Sequence, residues 1–470
     1  LGNEAVTITD TSINASVLSI LDSNTSGTIN ALSIITISGT ASDVESLYNS
    51  SGITGLGNED INLFYSYPTA ALLKRLDNDT SGTINAQLLT SIKGKASDLI
   101  TIYASSGISN LGNEAINITS GTATTSQANT LAAATSGIVT ATISDGDMST
   151  LSGLSETGNA YSITINDASV AASALNTLNT QTTVPLTVTS TTITGTFADV
   201  NTVYAEGTVG TITGLGNEAI TISGTLTVAQ ANTLAAQTTG IVTATISDGD
   251  MSTLAGLSET GNAYSITITD ASVAASALNA LDGKTAGAVN ATAITTITGT
   301  AADVNTVYAA GANGTILGLG NEVATLSDTS LSAAVVLTID AHTTGMVIAA
   351  QATTIFGTFP EVFAAYISQL NGTILGLGNE AITITAPLTV AQFNTLAAQT
   401  TGVITATIIE GNIVTLSGLT ETGHALLINV TDASVASSAL NTLNSKTTVA
   451  VNSTAVTTIT GTAADINTTY

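Results

Sequence analysis

Polar and apolar residues alternate over short runs throughout this chain. From Tyr264 to Thr269 the apolar positions are Tyr264, Ile266 and Ile268, with Ser265, Thr267 and Thr269 between them. Period two predicts a strand with one buried face and one Thr/Ser face. The next run changes period: Ala274, Leu278 and Leu281 fall at i, i+4 and i+7, which predicts a short helix with one apolar stripe. Asp270 stands before that helix as its expected N-cap, and Asp10, Asp167, Asp328 and Asp432 stand in equivalent places. Thr227 with Gln230, and Thr300 with Asp303, have capping-box spacing. Gly240, Gly261 and Gly287 sit where helix C-caps call for positive φ.

The strand-then-helix pattern repeats. Leu-Gly-Asn-Glu occurs six times, with its glutamate at Glu4, Glu59, Glu114, Glu218, Glu322 and Glu380, at intervals of 55, 55, 104, 104 and 58 residues. Each unit ends alike, most clearly in Thr-Ile-Thr-Gly-Thr-Ala-Ala-Asp-Val-Asn-Thr-Val-Tyr from Thr296 to Tyr308; the ending recurs up to Tyr48, Tyr103, Tyr204, Tyr366 and Tyr470. The units are 1–55, 56–110, 111–214, 215–318, 319–376 and an incomplete 377–470; long units contain four strand-helix elements and short ones two, making about 18 elements. Strand followed by helix, with no return strand, requires parallel pairing. Elements this short cannot bury their own apolar faces, so they must stack. The expected fold is an α/β repeat, a parallel strand/short-helix solenoid.

Composition narrows the function. Charged residues are 8% of the 470, against about 25% in an ordinary domain. No apolar run reaches the roughly 18 residues of a bilayer span, so membrane insertion is not expected. With 33 acidic and six basic residues the net charge is −27. That excludes nucleic acid, whose phosphates need Lys and Arg, and favours cations, calcium above all. The absence of cysteine excludes disulfides and thiol chemistry.

Two acidic patterns are candidate calcium ligands. Asp145 and Asp147 in Ser-Asp-Gly-Asp recur as Asp248 and Asp250, although the third copy reads Glu410-Gly411-Asn412. The alternative is a polar turn leading into a helix. The second pattern is Asp22, Asn24, Ser26 and Gly27, repeated as Asp77, Asp79, Ser81 and Gly82. It matches the first half of an EF-hand loop, but position twelve is Ser33 or Leu88 rather than the bidentate glutamate. The alternative there is a helix-terminating glycine turn. The Leu-Gly-Asn-Glu glutamate recurs too often for a catalytic acid and is expected to bind backbone N–H groups. His342 and His424 are far apart and unrepeated; His424 stands where Asn159 and Asn262 stand, as a turn substitution. No zinc spacing, phosphate loop or nucleophile elbow is present, so no enzyme is expected. Outward Thr rows (Thr243, Thr245, Thr267, Thr269) resemble an ice-binding ladder, but threonine is also an ordinary exposed strand residue.

Leu-Gly-Asn-Glu-Ala-Ile-Thr-Ile-Ser, Thr-Val-Ala-Gln-Ala-Asn-Thr-Leu-Ala-Ala and Ile-Thr-Gly-Thr-Ala-Ala-Asp-Val-Asn-Thr-Val-Tyr resemble the repeats of giant cell-surface proteins of marine cyanobacteria. The resemblance covers essentially the whole chain. It implies an extracellular, cell-surface location and a part in surface layers, motility structures or adhesion, and it transfers no catalytic residues. The expected function is a structural segment of a rod or filament; the alternative is the stalk of an adhesin or phage tail fibre whose binding head lies elsewhere. Tyr470 is equivalent to Tyr308 and Leu1 to Leu319, so the expected partners are further copies or further repeats, joined end to end.

Overall fold

Isoleucine and valine columns organise the sheets. In a computed structural model, which describes residues 2–470, Ile37 pairs with Ile61, Ile61 with Ile84 and Ile84 with Ile108. The four form one buried ladder. Further along, Val273 pairs with Ile297, Ile297 with Ala324, Ala324 with Val347 and Val347 with Ile374. Pairing in register keeps each apolar face pointing inward. Among the described residues the strand pairings are parallel, and eighteen helices are interspersed with the strands, so the α/β repeat solenoid is the observed fold class. The chain divides into two compact units, residues 1–223 with 236–241, and residues 224–235 with 242–470.

A representative stretch of the first unit runs from strand Thr36–Gly39 into helix Ala41–Tyr48, then to the short strand Ile53–Thr54 and on to Asp60–Leu63. In the second unit, strand Thr296–Gly299 enters helix Ala301–Asn313, followed by Ile316–Leu317 and Val323–Leu326. Thr40 and Thr300 cap these helices, accepting the N–H groups of Asp43 and Asp303. Thr227 and Gln230 form the expected reciprocal capping pair.

Small residues hold the helices close to the strands. Gly195 (φ 154°) and Gly299 (φ 152°) end their strands at backbone angles that suit glycine. A Cβ on them would lie 3.3 Å from Ala172 Cβ and 3.2 Å from Ala275 Cβ. Ala172 and Ala275 are the first, fully buried residues of helices one coil earlier. Glycine against alanine thus sets the spacing of successive coils.

Several local expectations are corrected. Strand Ser272–Ala274 runs directly into helix Ala275–Asp282, so Ala274 is an exposed strand residue and the helix stripe is Ala275, Leu278 and Leu281. Asp270 therefore does not cap that helix. Its carboxylate accepts the Met251 N–H at 2.8 Å, at the start of the preceding helical turn Met251–Leu254. Asp167 does the same for Met148, Asp432 for Ile413 and Asp328 for Ala301. The residue before the helix starting at Ala15 is Asn14, not Asp10. Gly240 and Gly287 have ordinary φ; a Cβ would lie 2.2 Å from the Glu218 carbonyl oxygen and 2.3 Å from that of Tyr264, so glycine is needed for close approach. Gly261 has φ 84° but lies in the loop before strand Ala263–Thr267. The left-handed helix ends are Gly210, Gly314 and Gly372.

Capping across coils makes a specific prediction. Asp248→Ala removes the acceptor of the Val228 N–H, 20 residues earlier, at a cost of about 1 kcal/mol. Hydrogen exchange should quicken first at the N-terminal amides of helix Val228–Ala235; unchanged exchange there, with loss confined to residues 248–254, would contradict the assignment.

Candidate functional site

The recurrent polar centre of the protein is built on the Leu-Gly-Asn-Glu turn. Glu59, Glu114, Glu218, Glu322 and Glu380 are each at most 1% exposed, where an unpaired carboxylate would be very costly. Each is supplied with donors from two directions. A tyrosine of the preceding helix donates its hydroxyl: Tyr48 to Glu59 at 2.8 Å, Tyr103 to Glu114 at 3.0 Å, Tyr204 to Glu218 at 3.0 Å, Tyr308 to Glu322 at 3.3 Å and Tyr366 to Glu380 at 2.9 Å. The turn's own glycine N–H donates as well, from Gly57, Gly112, Gly216, Gly320 and Gly378, at 2.8–2.9 Å. The expectation that this glutamate binds backbone N–H groups describes half of the arrangement. In the sequence the tyrosine half shows only as a recurring residue of the repeat ending.

A threonine from the next coil completes the junction. Thr80, Thr135, Thr238, Thr343 and Thr400 donate to the main-chain carbonyls of those glutamates at 2.6–3.1 Å. The same hydroxyls accept N–H bonds from Gly82, Gly137, Gly240, Gly345 and Gly402. Three successive coils are therefore tied at one point. Burial pushes the Tyr204 hydroxyl well above its ordinary range, and the Glu218 charge adds to the shift. Burial likewise raises Tyr308 to about 12, opposed by the Thr343 hydroxyl and helped by Glu322.

The candidate calcium ligands are distributed differently. Asp145 and Asp248 accept the N–H groups of Thr125 and Val228, each opening a helix in the preceding coil. Glu410 accepts the Val390 N–H in the third copy, which explains why glutamate substitutes there. Asp147 and Asp250 cap the short helices that follow them, through the N–H groups of Thr150 and Thr253. Asp22 and Asp77 accept the hydroxyls of Ser50 and Ser105, at 2.7 Å in both cases. Asn24 and Asp79 are the last residues of helices Ala15–Asn24 and Ala70–Asp79. The N–H groups of Ser26 and Ser81 donate to the carbonyls of Gly2 and Gly57. Among the described residues, no group of three or more His, Cys, Asp or Glu side chains gathers as a metal site.

His424 has a definite place. Its Nδ1 accepts the Ile404 N–H at 3.0 Å. Asn159 and Asn262 accept the N–H groups of Val139 and Val242 through their Oδ1 atoms in the same way. Histidine thus retains the acceptor that the turn needs, provided it is neutral. Burial lowers its pKa from the ordinary 6.5, with Glu421 opposing. His342 instead bonds the Thr338 carbonyl and stacks on Tyr308 with ring centroids 5.9 Å apart. No helix among the described residues is long and apolar enough to cross a membrane.

Three tests follow from these contacts. Glu218→Ala should lower stability by about 1–3 kcal/mol, because the Tyr204 hydroxyl and Gly216 N–H lose their shared acceptor; urea melts matching the parent would count against the clasp. Tyrosines with raised folded pKa stabilise the fold fully below pH 10 and lose that contribution as pH rises, through about 12 for Tyr308. Melting temperature should fall over that interval together with the rise in tyrosinate absorbance. His424 has a lowered folded pKa, so its contribution is full above pH 6.5 and is lost as pH falls through the folded value. His424→Asn should abolish that acid-side loss while leaving the neutral-pH melt close to the parent.

Comparison with protein-family models and with curated proteins finds no match for this chain.

Proposed function

We propose that this chain is a structural repeat segment of an extracellular cell-surface assembly, a surface layer, appendage or motility structure, and that it catalyses no reaction. The observation that supports this reading is the recurrence of the Tyr-Glu-Gly-Thr junction at five places with nearly the same distances. An active site is one constellation of unlike groups. Here the buried polar machinery is repeated, and its donors and acceptors are used to join coil to coil. Self-association with further copies or further repeats extends the same logic, since a head-to-tail contact that does not close builds a filament. The cyanobacterial surface-protein resemblance agrees with this placement. The second reading, the stalk of an adhesin or phage tail fibre, is favoured by the same recurrence and differs only in requiring a binding head outside the repeats.

Electron microscopy of the assembly in its native setting tests the proposal. Repeats continuous along a filament or lattice support it, a terminal head on an isolated stalk supports the second reading, and a dispersed enzyme-like monomer contradicts both.

Calcium enters the proposal through charge. A net charge of −27 is self-repulsive, and acidic turns recur along the chain at Asp22, Asp77, Asp145 and Asp248. Thermal melts with calcium and with chelator, at matched ionic strength to hold screening constant, should differ in favour of calcium. Coincident melts would remove the metal from the proposal.

A further inference from the structure

Three helices share an extension beyond the clasp tyrosine: Phe197–Val209, Ala301–Asn313 and Phe359–Asn371, each of 13 residues and each ending at a left-handed glycine. Three positions after the tyrosine, the helices carry Gly207, Gly311 and Gln369 respectively. In the third copy the Gln369 carboxamide folds back onto the Gly-Leu-Gly turn. Its Nε2 donates to the Leu377 carbonyl, and its Oε1 accepts the Leu377 N–H, so one side chain satisfies both main-chain groups of one residue.

The other two copies present the same turn without that side chain. A cavity of about 400 Å³ is lined by Tyr204, Gly207, Ile212, Leu215 and Gln237, among others. Its counterpart, about 280 Å³, is lined by Tyr308, Gly311, Ile316, Leu319 and His342. Both are large beside the roughly 30 Å³ share of one water molecule. The main-chain N–H and C=O of Leu215 and Leu319, equivalent to those of Leu377, have no hydrogen-bond partner among the described residues. Gln237 lines the first cavity and is engaged away from the turn, its Nε2 donating to Asn201.

We propose that these two cavities are binding sites for a primary carboxamide, the head group of a glutamine or asparagine side chain, with Gln369 as the built-in occupant of the third. The ligand C=O accepts the leucine N–H, and one ligand N–H donates to the leucine C=O. A carboxylate has no N–H to donate and meets the leucine C=O unfavourably. This selects amide over acid although the groups are alike in size. The apolar walls, Ile212 with Leu215 and Ile316 with Leu319, receive the methylene stem.

Leucine-selective ¹H–¹⁵N correlation spectra of the full chain test the assignment. Acetyl-glutamine methylamide should shift the Leu215 and Leu319 amide signals saturably at millimolar concentration, the scale expected of one small head group. Acetyl-glutamate methylamide should leave them in place. Free L-glutamine is the second amide probe: its binding assigns the sites to a small metabolite, and binding of the capped residue alone assigns them to a protein side chain. Gly207→Gln should abolish the response at Leu215 and leave that at Leu319, which also reports that the chain is folded. Gln369→Gly should create a third saturable response, at Leu377. The proposal is overturned if the parent protein shows no saturable shift at Leu215 or Leu319, or the same shift with the glutamate analogue.

Discussion

A carboxylate taken out of water must be given hydrogen-bond donors, and in this protein that requirement connects coil to coil. The glutamate of each buried turn cannot be satisfied by its own coil alone. It draws a phenol from the helix before it and holds a carbonyl out to a threonine in the coil after it. Hydrophobic stacking of isoleucine columns supplies adhesion between coils, but such columns tolerate substitution, as Ala324 within the Ile297–Val347 ladder illustrates. The polar junction is directional and has one register. Its recurrence therefore pins the register of each such coil against its neighbours, a role for which buried hydrogen-bonded groups are suited.

The low charge content of the chain and its large negative charge have a common origin in this design. Acidic residues are retained where they meet backbone N–H groups at helix starts, as Asp145, Asp248, Asp270 and Asp432 do, and negative charge there is favoured by the helix dipole. Basic residues have little to do in such a scheme. Lys74 pairs with Asp98 and Arg75 with Glu45 between neighbouring helices, exposed contacts of small energetic weight.

Much of this architecture was legible in the amino-acid order because it is local. Period two in Tyr264–Ile268 and the Thr300–Asp303 cap depend only on near neighbours. What could not be read is what crosses between coils. Sequence proximity points Asp270 to the helix that follows it, yet its partner lies 19 residues earlier, because a short strand intervenes before that helix. The position of Gly240 after a helix suggests a left-handed end, but its constraint is a carbonyl 22 residues upstream. The Glu–Tyr pairing spans 11 or 14 residues, and the repeats contain both residues without saying that they touch. The cavities at Gly207 and Gly311 depend on comparing three turns side by side, which repeat counting alone does not invite.

The placement of the acidic caps also gives the chain a direction in time. The helix beginning at Val228 remains without the Asp248 carboxylate, and the turn beginning at Met251 without that of Asp270, until the following coil has been laid down. A polypeptide appearing N-terminus first would thus carry one unfinished coil at its growing edge, sealed by the arrival of the next. Order would advance like a zip closing behind the newest residues, and a pause in synthesis would leave only the latest coil incomplete.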